Sequence, residues 1–450
     1  MTRNFRWWIV SLLFAASALN YLDRNNLSVL EPKIRAELNW TPQQFGYVTS
    51  AFWLSYALFA FMVGRFLDRV GTKIGFAIVL GLWGAACAMH GLVASVRGFI
   101  VFRFLLGLGE AGVIPASAKA CAEWFPKKER GFAYGVAVAG LMIGGIIAPL
   151  ITGGLAGLFG WRIAFLVAGS LCALWVAAWL WLYDLPARHR SISPAERSYI
   201  LDAQRAESRE RQEAADAGLS KVGLLKLFAL PQVWGIAAAR FLGDPVFAFF
   251  AAWIPKYMYE ARGIDFKTIT LTFWLPFAAC AFGSVASGWI SSALVNMGMD
   301  VVRARKAMLL LGAALMPIGT LTFFVSTLSA ALVCLCTAAF GHVVWVVATQ
   351  TLPGDMFPSR YVGCVTGISQ TTGSFGNTLA MLAVGSVVAW ASYKPVFIVA
   401  GVLHPIGTVI ILLTLRNVAG LGPWLRKEEE RLLQGQEGSG VFCAKHPAGR

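Results

Sequence analysis

The chain has 450 residues, 57% of them hydrophobic and 14% charged, with a mean hydropathy of +0.65. That balance lies well outside the range of soluble globular domains and describes a protein that crosses a bilayer many times. The net charge of +15 does not mark a nucleic-acid binder, because the Lys and Arg residues outside the apolar runs crowd onto alternate connections, the positive-inside pattern of a polytopic membrane protein.

Apolar stretches of about 20 residues, the length that crosses a hydrocarbon core, recur twelve times: over 7–30, 45–67, 74–95, 98–120, 132–156, 162–183, 232–258, 269–294, 306–327, 330–350, 361–387 and 393–415. The first run follows a basic start and mimics a signal peptide, but it is too long and holds Asp23 and Arg24, so it is expected to stay attached as the first helix. Residues 1–184 form an N-terminal six-helix half, 185–230 a linker, 231–416 a C-terminal half and 417–450 a tail. The expected fold is therefore an all-α integral membrane protein of twelve transmembrane helices, in two pseudo-symmetric halves around a central cavity. Charge asymmetry places linker, tail and both termini in the cytoplasm. The linker, with Ser191-Ile-Ser-Pro-Ala-Glu-Arg197 and a Glu/Arg/Gln-rich stretch through Gln212, reads as one or two short solvated helices. The tail reads as Gly-rich and disordered, with an amphipathic patch from Trp424 to Leu433.

Charge inside the first span is the sharpest signal. Tyr21, Leu22, Asp23 and Arg24 interrupt an apolar run, and an ionised side chain at the bilayer centre costs about 2.5–3.5 kcal/mol on insertion scales, so it faces a wet cavity or a partner. In span 4, Arg103 and Glu110 are seven apart on one helix face with Gly107 between them, and are expected to reach toward each other. In span 7, Arg240 has Asp244 at i+4, so the pair is neutralised within its own helix. Span 11 carries Gln370, Ser374 and Asn377 at i, i+4 and i+7, a polar stripe that binds solute or joins helices.

Other signals carry less. The eight cysteines include no CxxC spacing and read as small apolar fillers. Asn39-Trp40-Thr41 is a glycosylation sequon on the outer side. Gly107-Leu-Gly109-Glu-Ala-Gly112 matches the dinucleotide fingerprint, but no strand precedes it, so it reads as helix packing. His90 and His342 read as lone intramembrane histidines making helix-to-helix hydrogen bonds. With no Walker motif, direct ATP drive has no support, and no metal or cofactor is implied.

Gly64-Arg-Phe-Leu-Asp68-Arg69-Val-Gly71-Thr-Lys73, between spans 2 and 3, resembles the signature loop of the major facilitator superfamily. Further similarity lies in Asn20-Tyr-Leu-Asp23-Arg24, Arg103 with Gly107-Leu-Gly-Glu110, Glu123-Trp-Phe-Pro-Lys-Lys-Glu-Arg130 and Gly160-Trp-Arg-Ile-Ala-Phe165. These resemble the anion:cation symporter branch, which includes sugar-acid and vesicular organic-anion transporters. Arg240-Phe-Leu-Gly-Asp244-Pro, Ala252-Trp-Ile-Pro255 and Gly71-Thr-Lys-Ile-Gly75 are most similar to bacterial hexuronate (glucuronate and galacturonate) transporters.

The resemblance implies that Gly64, Asp68 and Arg69 gate, the Gly by permitting close helix packing and the Asp by anchoring the cytoplasmic ends of the halves. It implies that Asp23 and Glu110, with Arg103 beside Glu110, couple transport to protons; a static ion pair tying helices 1 and 4 together is the plainer alternative. Whether Asp23 carries a proton or only holds Arg24 in place stays open. A sugar acid needs a cation for its carboxylate, and guanidinium binds it in a bidentate way; Arg24 and Arg240 are the candidates, with Arg24 favoured. Gln370, Asn377, Tyr21 and Tyr56 are the candidates for its hydroxyls. Relatives can carry a polar residue in the middle of span 5, where this chain has Leu141 and Met142.

The expected function is proton-coupled import of a hexuronate by a monomer in the inner membrane, with protons, the organic anion and the lipid bilayer as its partners. Another organic anion (an aldonate, an aldarate or an aromatic carboxylate) is the alternative, and a transporter-like sensor a weaker one. A membrane enzyme is not expected, since no nucleophile, base and orienting group converge.

Overall fold

The computed structural model describes residues 5–216, 230–357 and 359–415. The Gly-rich tail, its Trp424–Leu433 patch and linker residues 217–229 lie outside the described residues. The described chain is helical: α1 (Arg6–Leu38), α2 (Pro42–Val70), α3 (Thr72–His90), α4 (Val96–Glu110), α5 (Val113–Trp124), α6 (Lys127–Phe159), α7 (Trp161–Leu182), α8 (Pro194–Asp216), α9 (Pro231–Glu260), α10 (Phe266–Thr272), α11 (Leu275–Asn296), α12 (Val301–Leu315), a 3-10 turn (Met316–Phe323), α13 (Leu328–Met356), α14 (Ser359–Trp390) and α15 (Lys394–Thr414).

Local chemistry sets the helix ends. Asn39 ends α1 in the left-handed conformation (φ 53°), which Asn tolerates better than most residues. Thr41 and Gln44 form a reciprocal capping box at the start of α2, with Pro42 in the first turn. The sharp turn between α2 and α3 falls on Gly71 at φ +88°, where a side chain would be strained. Span 4 is broken after Glu110 into α4 and α5, and the ninth expected span changes to a 3-10 turn at Met316-Pro317.

Among the described residues, ten helices or near-continuous helix pairs are long and apolar enough to cross a membrane, or eleven with α2, which bends by 52° after Ala60. α1 is not one of them, because Asn20, Asp23, Arg24, Asn25 and Asn26 interrupt its apolar character. It is nonetheless central: α1 runs along α6, and α3 along α7. Added Cβ atoms at Gly140 and Gly144 of α6 would strike the Phe14 and Ala18 carbonyl oxygens of α1, so these glycines let the two backbones touch. In the second set α9 packs on α14 and α15, and α13 on α11 and α12. The sets meet through α2 against α14 and α1 against α9. Trp181, Trp289 and Trp390 are strongly exposed, as expected for side chains that face lipid.

The linker helix α8 docks at the end of the bundle where α1 begins. Glu196 accepts hydrogen bonds from the Phe5 and Arg6 N–H groups (3.0 and 3.1 Å), placing a carboxylate on the positive end of the α1 dipole. Tyr199 donates to Glu129 (2.8 Å) and Gln204 to the Glu123 carbonyl (2.7 Å). At the far end of α1, Trp161 and Arg162 donate to Glu37 (both 2.6 Å), and these bonds hold its carboxyl below the usual range.

Candidate functional site

Arg24 sits where α1, α2 and α4 converge. Its Nε and Nη2 donate to Glu110 Oε2 at 3.0 and 2.8 Å, and Nη2 also reaches Asn20 Oδ1 at 3.2 Å. Four rings surround the guanidinium: Tyr21, Phe52, Trp53 and Tyr56, with centroids 5.0, 5.0, 5.3 and 5.7 Å away. A guanidinium desolvated among aromatic faces keeps its charge through cation–π attraction and its ion pair. The Arg24 side chain is 20% exposed and that of Glu110 is fully buried.

Arg103 does not pair with Glu110 as the heptad spacing suggested. Seven residues rise about 10.5 Å along a helix, and each side chain instead turns to α1. Arg103 Nη2 donates to the Arg24 carbonyl oxygen (3.0 Å), while its Nε and Nη1 are buried without a partner. Gly107 lets α4 lie close against α2, since a Cβ there would strike the Phe52 carbonyl oxygen. The GxGxxG run is therefore helix packing, as expected.

Asp23 faces away from Arg24. Its Oδ2 accepts from Trp83 Nε1 of α3 (2.9 Å) and Cys172 Sγ of α7 (3.1 Å), and its Oδ1 is buried without a partner. Holding Arg24 in place by direct contact is thus excluded: adjacent residues on a helix diverge by about 100°. Cys172 is correspondingly more than an apolar filler.

Beside Arg24 lies a cavity of about 50 Å³ lined by Tyr21, Arg24, Asn25, Ser28, Trp53 and Arg103, with Phe247 and Ala251 from α9. Arg240 stands across the bundle on α9. It pairs with Asp244 at 2.8 Å and donates to Gln370 Oε1 of α14 at 3.1 Å, so Arg240 and Gln370 are brought together. Asn377, farther along the same helix, is buried with Oδ1 unpartnered. Ser374 spends its hydroxyl on the Gln370 carbonyl oxygen (3.0 Å).

The loop residues lie apart from this site. Asp68 pairs with Lys119 of α5 (3.0 Å) and is 74% exposed, and Arg69 is exposed. Gly64 corrects an expectation: a Cβ there meets nothing within 4 Å, so it permits no close packing here, and the glycine that matters in the loop is Gly71. His342 is not alone either, for its Nδ1 lies 3.0 Å from His404 Nε2 of α15 and its ring stacks on Phe247 at 4.8 Å. His90 bonds the Ala86 carbonyl of its own helix (2.7 Å) rather than another helix.

Sequence reading missed Asn20, Phe52, Trp53, Trp83 and His404. Phe52 and Trp53 share a face of α2 with Tyr56 at i+4 and i+3, a signal available beforehand; the partners of Asp23 and His342 come from helices distant in sequence and gave none.

A family model described as the Major Facilitator Superfamily matches residues 13–302 and 292–445. The chain is 32% identical over 416 residues to the hexuronate transporter of Escherichia coli strain K12, covering 92% of this chain and 95% of that one. It is 34% identical over 340 residues to the galacturonate transporter of Dickeya chrysanthemi, covering 75% and 96%. Among solved structures, a bacterial homologue of the human lysosomal transporter Spinster, in an inward-facing and occupied conformation, matches with a TM-score of 0.70 at 18% identity over the whole of both chains.

Proposed function

This chain belongs to the major facilitator superfamily, as a multi-pass membrane transporter rather than an enzyme, and we propose that it imports a sugar acid, a hexuronate first of all, in symport with protons. The two halves, residues 1–184 and 231–416, rock about the central cavity as a twelve-span monomer of the inner membrane, with both termini, linker 185–230 and tail 417–450 in the cytoplasm. The names of the two sequence relatives support the substrate class.

The observation that carries the mechanism is the Arg24–Glu110 pair, a fixed cation held in an aromatic box by a buried carboxylate from another helix. Ionised Glu110 occupies Arg24. A proton on Glu110 removes that competitor, and the substrate carboxylate then takes the two N–H groups in bidentate fashion. Arg103, with Nε and Nη1 unpartnered beside the same cavity, adds positive potential. Tyr21 and Tyr56, whose rings flank Arg24, and Gln370 and Asn377 of α14 meet the hydroxyls, and Arg240 fixes Gln370. When substrate leaves, Glu110 gives up its proton and reclaims Arg24. Asp23, held behind α1 by Trp83 and Cys172, is a second proton position outside the cavity. Asp68 and Arg69 act at the loop that faces the linker side, where Asp68 exchanges Lys119 for a partner in the other half when that side closes.

The test is a binding screen of purified protein against hexuronates, aldonates and aromatic acids at two pH values, with Arg24→Ala alongside. Binding of a hexuronate that Arg24→Ala abolishes is the expected result. Unchanged affinity in that variant sinks the anchor assignment, and a preference for aromatic acids sinks the substrate class.

A further inference from the structure

Four charged residues outside the central site face one another where α1 and α9 end. Lys256 Nζ lies 2.5 Å from Glu31 Oε1 and 2.5 Å from Glu260 Oε1. Arg35 pairs with the same Glu260, whose second oxygen accepts from Tyr393, the residue that caps α15, at 3.1 Å. The Lys256 and Glu31 side chains are wholly buried. Phe45 packs edge-on against Trp253 (4.8 Å) beside them, so the cluster bridges the two helix sets within a hydrophobic seam.

The spacing within each helix gives the cluster its meaning. Glu31 and Arg35 are four apart on α1, and Lys256 and Glu260 four apart on α9. Each helix thus presents an acid and a base one turn apart, with opposite order of sign, so the facing pairs match: Glu31 with Lys256, Arg35 with Glu260. A buried ion pair separated by helix motion would ordinarily leave two lone charges, which is prohibitive in a poorly solvated seam. Here each charge has a second partner at i+4 on its own helix, and the Lys256–Glu260 contact is already made.

Both helices also carry a proline next to the cluster, Pro32 after Glu31 and Pro255 before Lys256. A helical proline frees the carbonyl four residues back and marks a point of bending. Those residues are Ser28 and Ala251, both of which line the central cavity. The helix ends are therefore built to tip above the cavity.

We propose that Glu31, Arg35, Lys256 and Glu260 form a partner-exchange latch: crossed pairs between α1 and α9 close this end of the cavity, and intrahelical pairs receive the charges when it opens. The proposal rests on the transport reading only for which face of the membrane this end meets.

The experiment introduces Ser28→Cys at the cavity wall and follows the excess labelling by a membrane-impermeant maleimide over the parent chain, in right-side-out and inside-out vesicles. Lys256→Met or, as the near-isosteric alternative, Glu31→Gln is expected to raise labelling roughly tenfold by destabilising the closed state. A rise from one face supports the latch, and that face reports the orientation independently. No rise from either face in a monodisperse variant overturns it. The double exchange Glu31→Lys with Lys256→Glu separates a latch from a static tie. It restores the crossed pair, so labelling returns to the parent level, but places like charges at i+4 on both helices, so transport turnover falls. Inverting all four residues restores turnover. Parent-level turnover in the double exchange overturns the partner-exchange step.

Discussion

Neutralising Glu110 tests the central switch most directly, and the expected result is tighter substrate binding. In Glu110→Gln the shape of the side chain is kept and the charge competing for Arg24 is removed. Two bonds are affected, at 3.0 and 2.8 Å, both to a side chain with no exposure. A hydrogen bond to a charged group contributes about 1.5–3 kcal/mol and a neutral one about 0.5–1.5 kcal/mol, so the two bonds together weaken by about 2 kcal/mol. An incoming carboxylate no longer has to overcome that difference, and at 1.4 kcal/mol per factor of ten its Kd is expected to fall by roughly ten- to thirtyfold. Calorimetry on purified protein with a hexuronate measures this. In the parent, affinity rises as pH falls, because protonation of Glu110 frees Arg24; in Glu110→Gln it is flat with pH. Vesicles carrying the variant are expected to exchange substrate by counterflow yet fail to accumulate it against a gradient. A Kd that is unchanged or weaker refutes the competition argument, and full accumulation removes Glu110 from coupling.

Two further predictions follow from the surroundings of this pair. Trp83→Phe deletes one of the two hydrogen bonds that buried Asp23 accepts from Trp83 and Cys172 while keeping an aromatic ring, and is expected to destabilise the protein by about 1–3 kcal/mol, read as a lowered Tm in detergent; hexuronate Kd stays within about twofold because Asp23 does not touch Arg24. Gly107→Ala drives a methyl into the Phe52 carbonyl oxygen and costs about 1–3 kcal/mol of overpacking, so size-exclusion of the purified variant should show reduced folded yield, and the surviving protein weakened Arg24-dependent binding; parent-like yield and affinity would mean that α4 does not need this close approach.

Much of the architecture was legible because a bilayer imposes lengths and polarity that survive in the sequence. The helix over Trp161–Leu182 fits the expected span at 162–183 to within a residue, and α1 overran its apolar stretch by eight residues because Asn39 caps it beyond the charged turn from Glu31 to Glu37. The site was legible as an inventory and not as a wiring diagram. Asp23, Arg24, Arg103 and Glu110 all drew attention as charges in apolar runs, but which acid meets which base depends on helix rotation. Neighbours in sequence therefore diverged, Arg24 toward Glu110 and Asp23 toward Trp83 and Cys172. His342 looked solitary because His404 is 62 residues away on another helix. Gly64 shows the reverse error, a motif position whose expected packing is absent in the structure.

The two central arginines are neutralised in different ways. Arg24 lies on α1 and Arg240 on α9, the first helix of each set, yet one is neutralised across helices and the other within its own. Asp244 sits one turn from Arg240 and moves with it, so rearrangement of the helices leaves that pair intact, and the same Nη2 donates to Gln370 while Nε and Nη1 are buried without a partner. Arg24 depends on α4 for its counter-charge, so any change in the charge of Glu110 or in the distance between α1 and α4 exposes it. Of these two arginines, the one that lines the cavity is the one whose pairing is conditional. In the proposed mechanism the conditional pair, Arg24 with Glu110, is therefore the one that reports substrate to the helices, rather than the larger number of charges nearby.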